Sequence, residues 1–245
     1  MNQFNRRSLL AASFGAGFVL PALSQVPEGC GNQPKTAPAL QPPLLLTDWA
    51  WLACYREENA KLLASGAKVD VVFMGDSITE GWARTDAAFF SNGIVGRGIS
   101  AQTTPQMLVR MHSDVIALKP RVVHIMAGTN DIAGNTGPMS LRDTQNNFMA
   151  MCEIAKAHGI RVALGASPPA SKYWWKPELK PRESVVALND WLRGYAKQIG
   201  ATFADYAAVL SDGKSGVNLA FAKDEVHPTA EGYKAMRPVA EAAVK

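Results

Sequence analysis

A chain of 245 residues, 47% hydrophobic and 19% charged, fits one soluble domain with a full-sized core, and needs neither repeats nor disorder to explain its length. The formal charge is +4; removing Arg6 and Arg7 takes the 25 basic residues to 23, against 21 acidic ones, a balance of +2. So weak an excess argues against a nucleic-acid partner.

Residues 1–24, "MNQFNRRSLLAASFGAGFVLPALS", combine an arginine pair, a mostly apolar run and a small-residue end, and read as an export signal. Arg6-Arg7 with Leu9-Leu10 resembles the twin-arginine type, although Asn5 and Leu9 depart from its commonest residues; an ordinary secretory signal is the alternative. The apolar run is short and broken by Gly, Ser and Pro, which argues against a membrane anchor. Either route makes the mature protein periplasmic or extracellular. Residues 25–47 carry Pro27, Pro34, Pro38, Pro42 and Pro43 and read as an extended linker, so the folded domain is expected over residues 48–245.

Of three cysteines, at most one internal pair can form, and whether Cys54 and Cys152 form it is open. Cys30 lacks the apolar residue expected three positions before a lipidated cysteine. No cysteine or histidine spacing fits a metal site.

From Asp48 onward helical patterns and apolar runs alternate. "DWAWLACYREENAKLLAS" reads as an amphipathic helix, "VDVVFMG" as a strand, "IVGRGI" as a short strand and "TPQMLVRMHSDVIAL" as a helix. "RVVHIMAG" is a strand, followed by a helix ending at Gly159, strand "RVALGAS", a helix ending at Gly200 and strand "ATFADY". A last helix runs from Thr229 to about Val244. Runs such as "VVF" and "VVHIM", apolar on consecutive residues, indicate strands buried on both faces. The expected fold is a three-layer α/β/α sandwich around a five-stranded parallel sheet.

In such sheets ligands bind beyond the carboxyl ends of the strands. Strand one ends in Gly75-Asp76-Ser77, strand two in Gly96-Arg97-Gly98 and strand three in Gly128-Thr129-Asn130-Asp131. Before the last helix "KDEVHP" sets Asp224 three residues from His227. Nucleophilic ester cleavage needs a hydroxyl, a base for its proton, a group to orient that base and donors for the oxyanion. Ser77, His227 and Asp224 meet the first three needs, and Gly98 and Asn130 are candidates for the fourth.

These blocks, in this order over residues 68–240, resemble the SGNH (GDSL-type) hydrolase family: "GDS" with Ser77, "GRGIS" with Gly98, "GTND" with Asn130 and "DEVH" with Asp224 and His227. The resemblance implies a flavodoxin-like fold and an oxyanion hole made by the Ser77 N–H, the Gly98 N–H and Asn130. It also implies a small-molecule or glycan ester as substrate, with no metal and no cofactor. Three positions depart from the family pattern: Gly96 stands where many relatives have Asn, and Ala101 and Glu225 stand where glycine is frequent.

Ser77 also suits a helix N-cap, a place Asp76 can take instead. Asn130 also suits a turn, and Asp131 is read as structural. His124 alternates within an apolar strand and reads as a satisfied core or edge residue, while His112 and His158 fall on helical faces. "GRGISA" follows the second strand without the acid a dinucleotide site needs, and "DGKSG" lacks the first glycine of a phosphate loop. Trp49, Trp51 and Trp191 read as packing residues. Trp174 and Trp175, in a loop after strand four, are candidate substrate walls or a pair that anchors the loop onto the body, and Trp82 is a candidate floor of the pocket or packs under the first helix.

The expected activity is a serine ester hydrolase for short acyl groups, such as acetyl esters of carbohydrates. The alternatives are a thioesterase or lysophospholipase for longer chains, and a carbohydrate-binding protein on the same fold.

Overall fold

The computed structural model describes residues 44–214, 216–222 and 224–245. The export signal, and all but the last four residues of the proline-rich stretch, lie outside the described residues. Those four form a helical turn, α1 (Leu44–Thr47). In order there follow α2 (Arg56–Ser65), β1 (Val71–Gly75), α3 (Ser77–Thr85), β2 (Ile94–Gly98) and α4 (Thr104–Asp114). Then come β3 (Val122–Met126), α5 (Thr129–Ile132), α6 (Leu141–Ala157), β4 (Arg161–Gly165) and α7 (Arg182–Ile199). The chain ends with β5 (Thr202–Ala204), α8 (Tyr206–Leu210) and α9 (Ala230–Val244).

Among the described residues the strands form one parallel five-stranded sheet in the order β2-β1-β3-β4-β5. This is the flavodoxin-like order, whose connections reverse direction between β1 and β3 and open a crevice there. The register sets Gly75 beside both Gly98 and Met126, so β1, β2 and β3 finish at one level.

Alternation along the strands feeds two cores. Val72, Met74, Val123 and Ile125 face one layer, packed by Met111 of α4, Phe148 of α6 and Leu188 of α7. Val71, Phe73, Val122 and Ala163 face the other, packed by Ile78 and Trp82 of α3 and Met236 of α9. The three expected layers are present.

One helical expectation is corrected. Residues 48–55 form turns, held by the Asp48 carboxylate accepting the Leu52 and Ala53 N–H groups at 2.8 and 2.9 Å, and the helix begins only at Arg56. Trp51 packs inward from this turn segment and Trp49 is exposed. Cys152 is a free, buried thiol and so does not pair with Cys54; burial, with Glu153 adding, pushes its pKa up to about 12. Among the described residues no helix is long and apolar enough to cross a membrane.

Candidate active site

Asp76 caps α3. Its side chain accepts the Ile78 N–H at 3.0 Å, so Ser77 is the first helical residue and not the cap. Burial raises the Asp76 pKa to about 6, partly opposed by the Ile78 N–H and by nearby His227.

His227 reaches this point from the far end of the chain. Thr229 caps α9 by accepting the Gly232 N–H at 3.2 Å, and Tyr233 of α9 donates to the Ile78 carbonyl at 2.9 Å while stacking on Trp82. The helix that follows His227 is thereby fixed against the helix that begins with Ser77. The result is Ser77 Oγ at 2.9 Å from His227 Nε2, and His227 Nδ1 at 2.6 Å from Asp224 Oδ2.

The other Asp224 oxygen accepts the backbone N–H groups of Val226 and His227 at 2.9 and 2.7 Å, closing the loop on itself. Burial alone raises the Asp224 pKa, but the bonds from the His227 ring and from these two N–H groups outweigh it and hold the carboxyl below the ordinary carboxylate range. An ionised carboxylate only accepts, so Nδ1 carries the ring proton and Nε2 turns its lone pair to Ser77.

Gly98, at the end of β2, lies under the first turn of α3. A Cβ there would stand 2.2 Å from the Glu80 nitrogen and 2.7 Å from the Asp76 oxygen, so no other residue fits without moving the helix. Tyr55 donates to the Gly98 carbonyl. Asn130, in α5, is buried; its Nδ2 donates to the Gln102 carbonyl at 3.0 Å and lies 3.4 Å from Asp76 Oδ2. Asp131 points away from this crevice, accepting from the Thr104 N–H, the Thr104 hydroxyl and, at 3.3 Å, Thr144 Oγ1. It joins α5 to the start of α4 and to α6, a structural role.

The tryptophans separate. Trp82 is fully buried among Phe73, Phe89 and Tyr233, so of its two readings it packs under the helix and is not a pocket floor: a large ring facing the sheet under α3 gains more from the core than from solvent. Trp174 is 64% exposed. Trp175 stacks on Tyr173 with ring centres 4.9 Å apart and donates its indole N–H to Asn135 Oδ1 at 3.2 Å. His124 is a core residue, bonded to the Tyr206 hydroxyl at 2.9 Å, and burial pushes its pKa down to about 3.

Several supporting residues escaped the reading of the sequence. Glu80 is buried and accepts from the Ser100 N–H at 2.8 Å and from the Ser100 hydroxyl, tying α3 to the segment after Gly98. Arg110 donates to Gln102 Oε1 at 2.7 Å and to the Arg97 carbonyl at 3.1 Å, and pairs with Asp114 at 2.5 Å. Arg97 bonds Asn59 and Glu58, each at 2.9 Å. The signal available was a charge inside an apolar run, as Arg97 in "IVGRGI", but its partners lie in distant elements.

Two of the three departures from the family pattern stand where the backbone favours glycine. Ala101 has φ +63° and Glu225 φ +65°, the left-handed region that favours glycine. Glu225 spans to the loop after β4, accepting from the Ser171 hydroxyl and pairing with Lys172 at 2.8 Å. Replacing it by glycine and by alanine removes the carboxylate equally, so the difference isolates the backbone. Glu225→Gly is expected to be more stable than Glu225→Ala by about 1 kcal/mol. Urea denaturation midpoints measure this, and equal midpoints would remove the strain.

Residues 73–235 match the GDSL-like Lipase/Acylhydrolase family. A crystal structure of a GDSL-like lipase from Bacteroides thetaiotaomicron VPI-5482 superposes with a TM-score of 0.77 at 42% identity, covering 80% of this chain and 98% of that one. An uncharacterized lipoprotein, YqeF, of Bacillus subtilis (strain 168) is 33% identical over 56% of this chain and 70% of its own length. An acetylxylan esterase of Xylanibacter ruminicola is 27% identical over 72% of this chain, which spans only 43% of that enzyme's length. The chain belongs to the GDSL-like lipase/acylhydrolase family.

Proposed function

We propose that the protein is an exported serine ester hydrolase that removes short acyl groups, acetyl esters of carbohydrates being the favoured substrate class. The observation that carries this reading is the hydrogen-bonded line Ser77–His227–Asp224, 2.9 and 2.6 Å long, at the carboxyl ends of the strands.

Serine is a weak nucleophile at neutral pH, and the Nε2 lone pair of His227 takes its proton as Oγ attacks the ester carbonyl. Asp224, held ionised, fixes the tautomer and stabilises the imidazolium. His227 then gives the proton to the leaving alcohol, and water releases the acyl group by the same route. The tetrahedral oxyanion is met by the N–H groups of Ser77 and Gly98 and by Asn130 Nδ2. Asp76 takes the Ile78 N–H and leaves the Ser77 N–H, at the positive end of α3, for the oxyanion.

The substrate class rests on three supports: the export-type sequence of residues 1–24, the name of the acetylxylan esterase relative, and Trp174, whose exposed face suits a sugar ring. Purified protein beginning at residue 25 is expected to hydrolyse p-nitrophenyl acetate with a higher kcat/KM than the decanoyl ester, and to release acetate from acetylated xylo-oligosaccharides. Faster cleavage of decanoyl than acetyl esters would replace the short-acyl reading with a lysophospholipase or thioesterase one.

A further inference from the structure

The structure carries a line of side-chain hydrogen bonds that starts at Trp175 and ends in the crevice. Trp175 Nε1 donates to Asn135 Oδ1 at 3.2 Å, Asn135 Nδ2 donates to Asn130 Oδ1 at 2.8 Å, and Asn130 Nδ2 donates to the Gln102 carbonyl at 3.0 Å. We propose that Trp175 and Asn135 are positioning residues that fix which end of the Asn130 amide faces the oxyanion, an inference that rests on the ester-hydrolase reading of the site.

An asparagine amide presents an oxygen or a nitrogen in nearly the same shape, so shape alone does not choose its orientation. An indole N–H only donates. Asn135 must therefore turn Oδ1 to Trp175 and Nδ2 to Asn130. Asn130 must answer with Oδ1, which sends its own Nδ2 to the far side, toward the Gln102 carbonyl and Asp76. At that far side Nδ2 spends one hydrogen on Gln102; the second is left for Asp76 Oδ2, 3.4 Å from the nitrogen, a loose contact that an oxyanion can replace. Turned over, the amide would set oxygen against the Gln102 carbonyl and present an acceptor to a developing negative charge.

The chain geometry explains how Asn135 reaches this place. The Asn135 N–H bonds the Asn130 carbonyl at 3.1 Å, folding the residues after α5 back over it. Trp175 is held by Tyr173, whose ring lies at 12° to its own, and it packs against the cluster in which Tyr173 and Ala170 join Val226, the residue before His227. The loop after β4 thus touches both halves of the machinery: the histidine side by packing and by Glu225, the oxyanion side by the indole N–H.

Trp175→Phe keeps the stacked ring and removes only the donor. With p-nitrophenyl acetate its kcat is expected to fall about tenfold at little-changed KM, short of the roughly 10²–10³-fold cost of losing an oxyanion donor outright. In an Asn130→Ala background the same change is expected to cost nothing further, because no amide is left to orient. A residue that only walls the substrate would instead raise KM in both backgrounds, and that result, or an equal fall in kcat in both, overturns the proposal.

Asn135→Asp is a second, isosteric variant. Its carboxylate still accepts from Trp175 but cannot donate to Asn130, so kcat is expected to fall toward the Asn130→Ala value; full kcat overturns the relay. The side-chain N–H signals of Asn130, followed by nuclear magnetic resonance, are expected as a single pair in the parent and as a broadened or doubled pair in Trp175→Phe. An unchanged pair in the variant overturns the relay whatever the protein hydrolyses, whereas the Ser77→Ala control bears only on the ester-hydrolase reading.

Discussion

Ser77→Ala is expected to lower the turnover of p-nitrophenyl acetate by roughly 10⁴–10⁶-fold while leaving the fold intact. The size follows from the line of bonds: without Oγ there is no acyl-enzyme, and only direct attack of water, aided by the oxyanion donors, remains. The fold is spared because what the variant leaves behind is tolerable. His227 loses a partner at 2.9 Å, but its side chain is 36% exposed, so water satisfies Nε2 and no buried polar group is orphaned. Asp224 keeps both of its backbone donors. Steady-state rates beside a thermal melt measure both halves. A variant that keeps more than about one hundredth of the parent rate with an unchanged melt contradicts the nucleophile assignment, since residual catalysis by the remaining machinery is far smaller.

The parts legible in the sequence are those whose signal is local. β1 and β3 announce themselves because a strand buried on both faces must be apolar at consecutive positions, and "VVF" and "VVHIM" are. Gly159 and Gly200 mark helix ends because both sit at positive φ, +70° and +71°. Ser77, Asn130 and Asp224-His227 stand out because each follows a strand end or precedes a helix start.

What was not legible depends on partners far along the chain. α3 begins at Ser77 although Ile78, Thr79 and Gly81 are weak helix formers; the Asp76 cap and the burial of Ile78 and Trp82 decide it. Trp82 looked like a pocket residue by its distance from Ser77, but five positions along a helix turn it to the opposite side, into the sheet. Buried Arg97 gave no local sign of its pairing: it meets Asn59 and Glu58 only because the fold brings α2 to β2, whereas Arg110 has Asp114 one turn along its own helix and reaches the Arg97 carbonyl only through the fold. Asn135 belongs to no motif, and nothing short of the indole N–H against it reveals its orientation.

Asn130→Ala is expected to lower kcat by roughly 10²–10³-fold, equivalent to about 3–4 kcal/mol of transition-state stabilisation, with a smaller change in KM. The amide meets charge that exists only after attack, so its loss belongs in kcat. Part of any measured defect has another origin, because truncation also strands the Gln102 carbonyl and Asn135 Nδ2, both bonded to this side chain now. Asn130→Asp separates the two. It keeps the size of the side chain and an oxygen toward Asn135, but sets an acceptor where the oxyanion forms, against the Gln102 carbonyl and beside Asp76, so it is expected to be at least as slow as Asn130→Ala and to lower the melting point as well. Rates measured well below all three melting points that follow the order parent, Ala, Asp assign the loss to the missing donor. If Asn130→Ala keeps the parent kcat at such temperatures, Asn130 serves the fold and the oxyanion is held by the two backbone N–H groups alone.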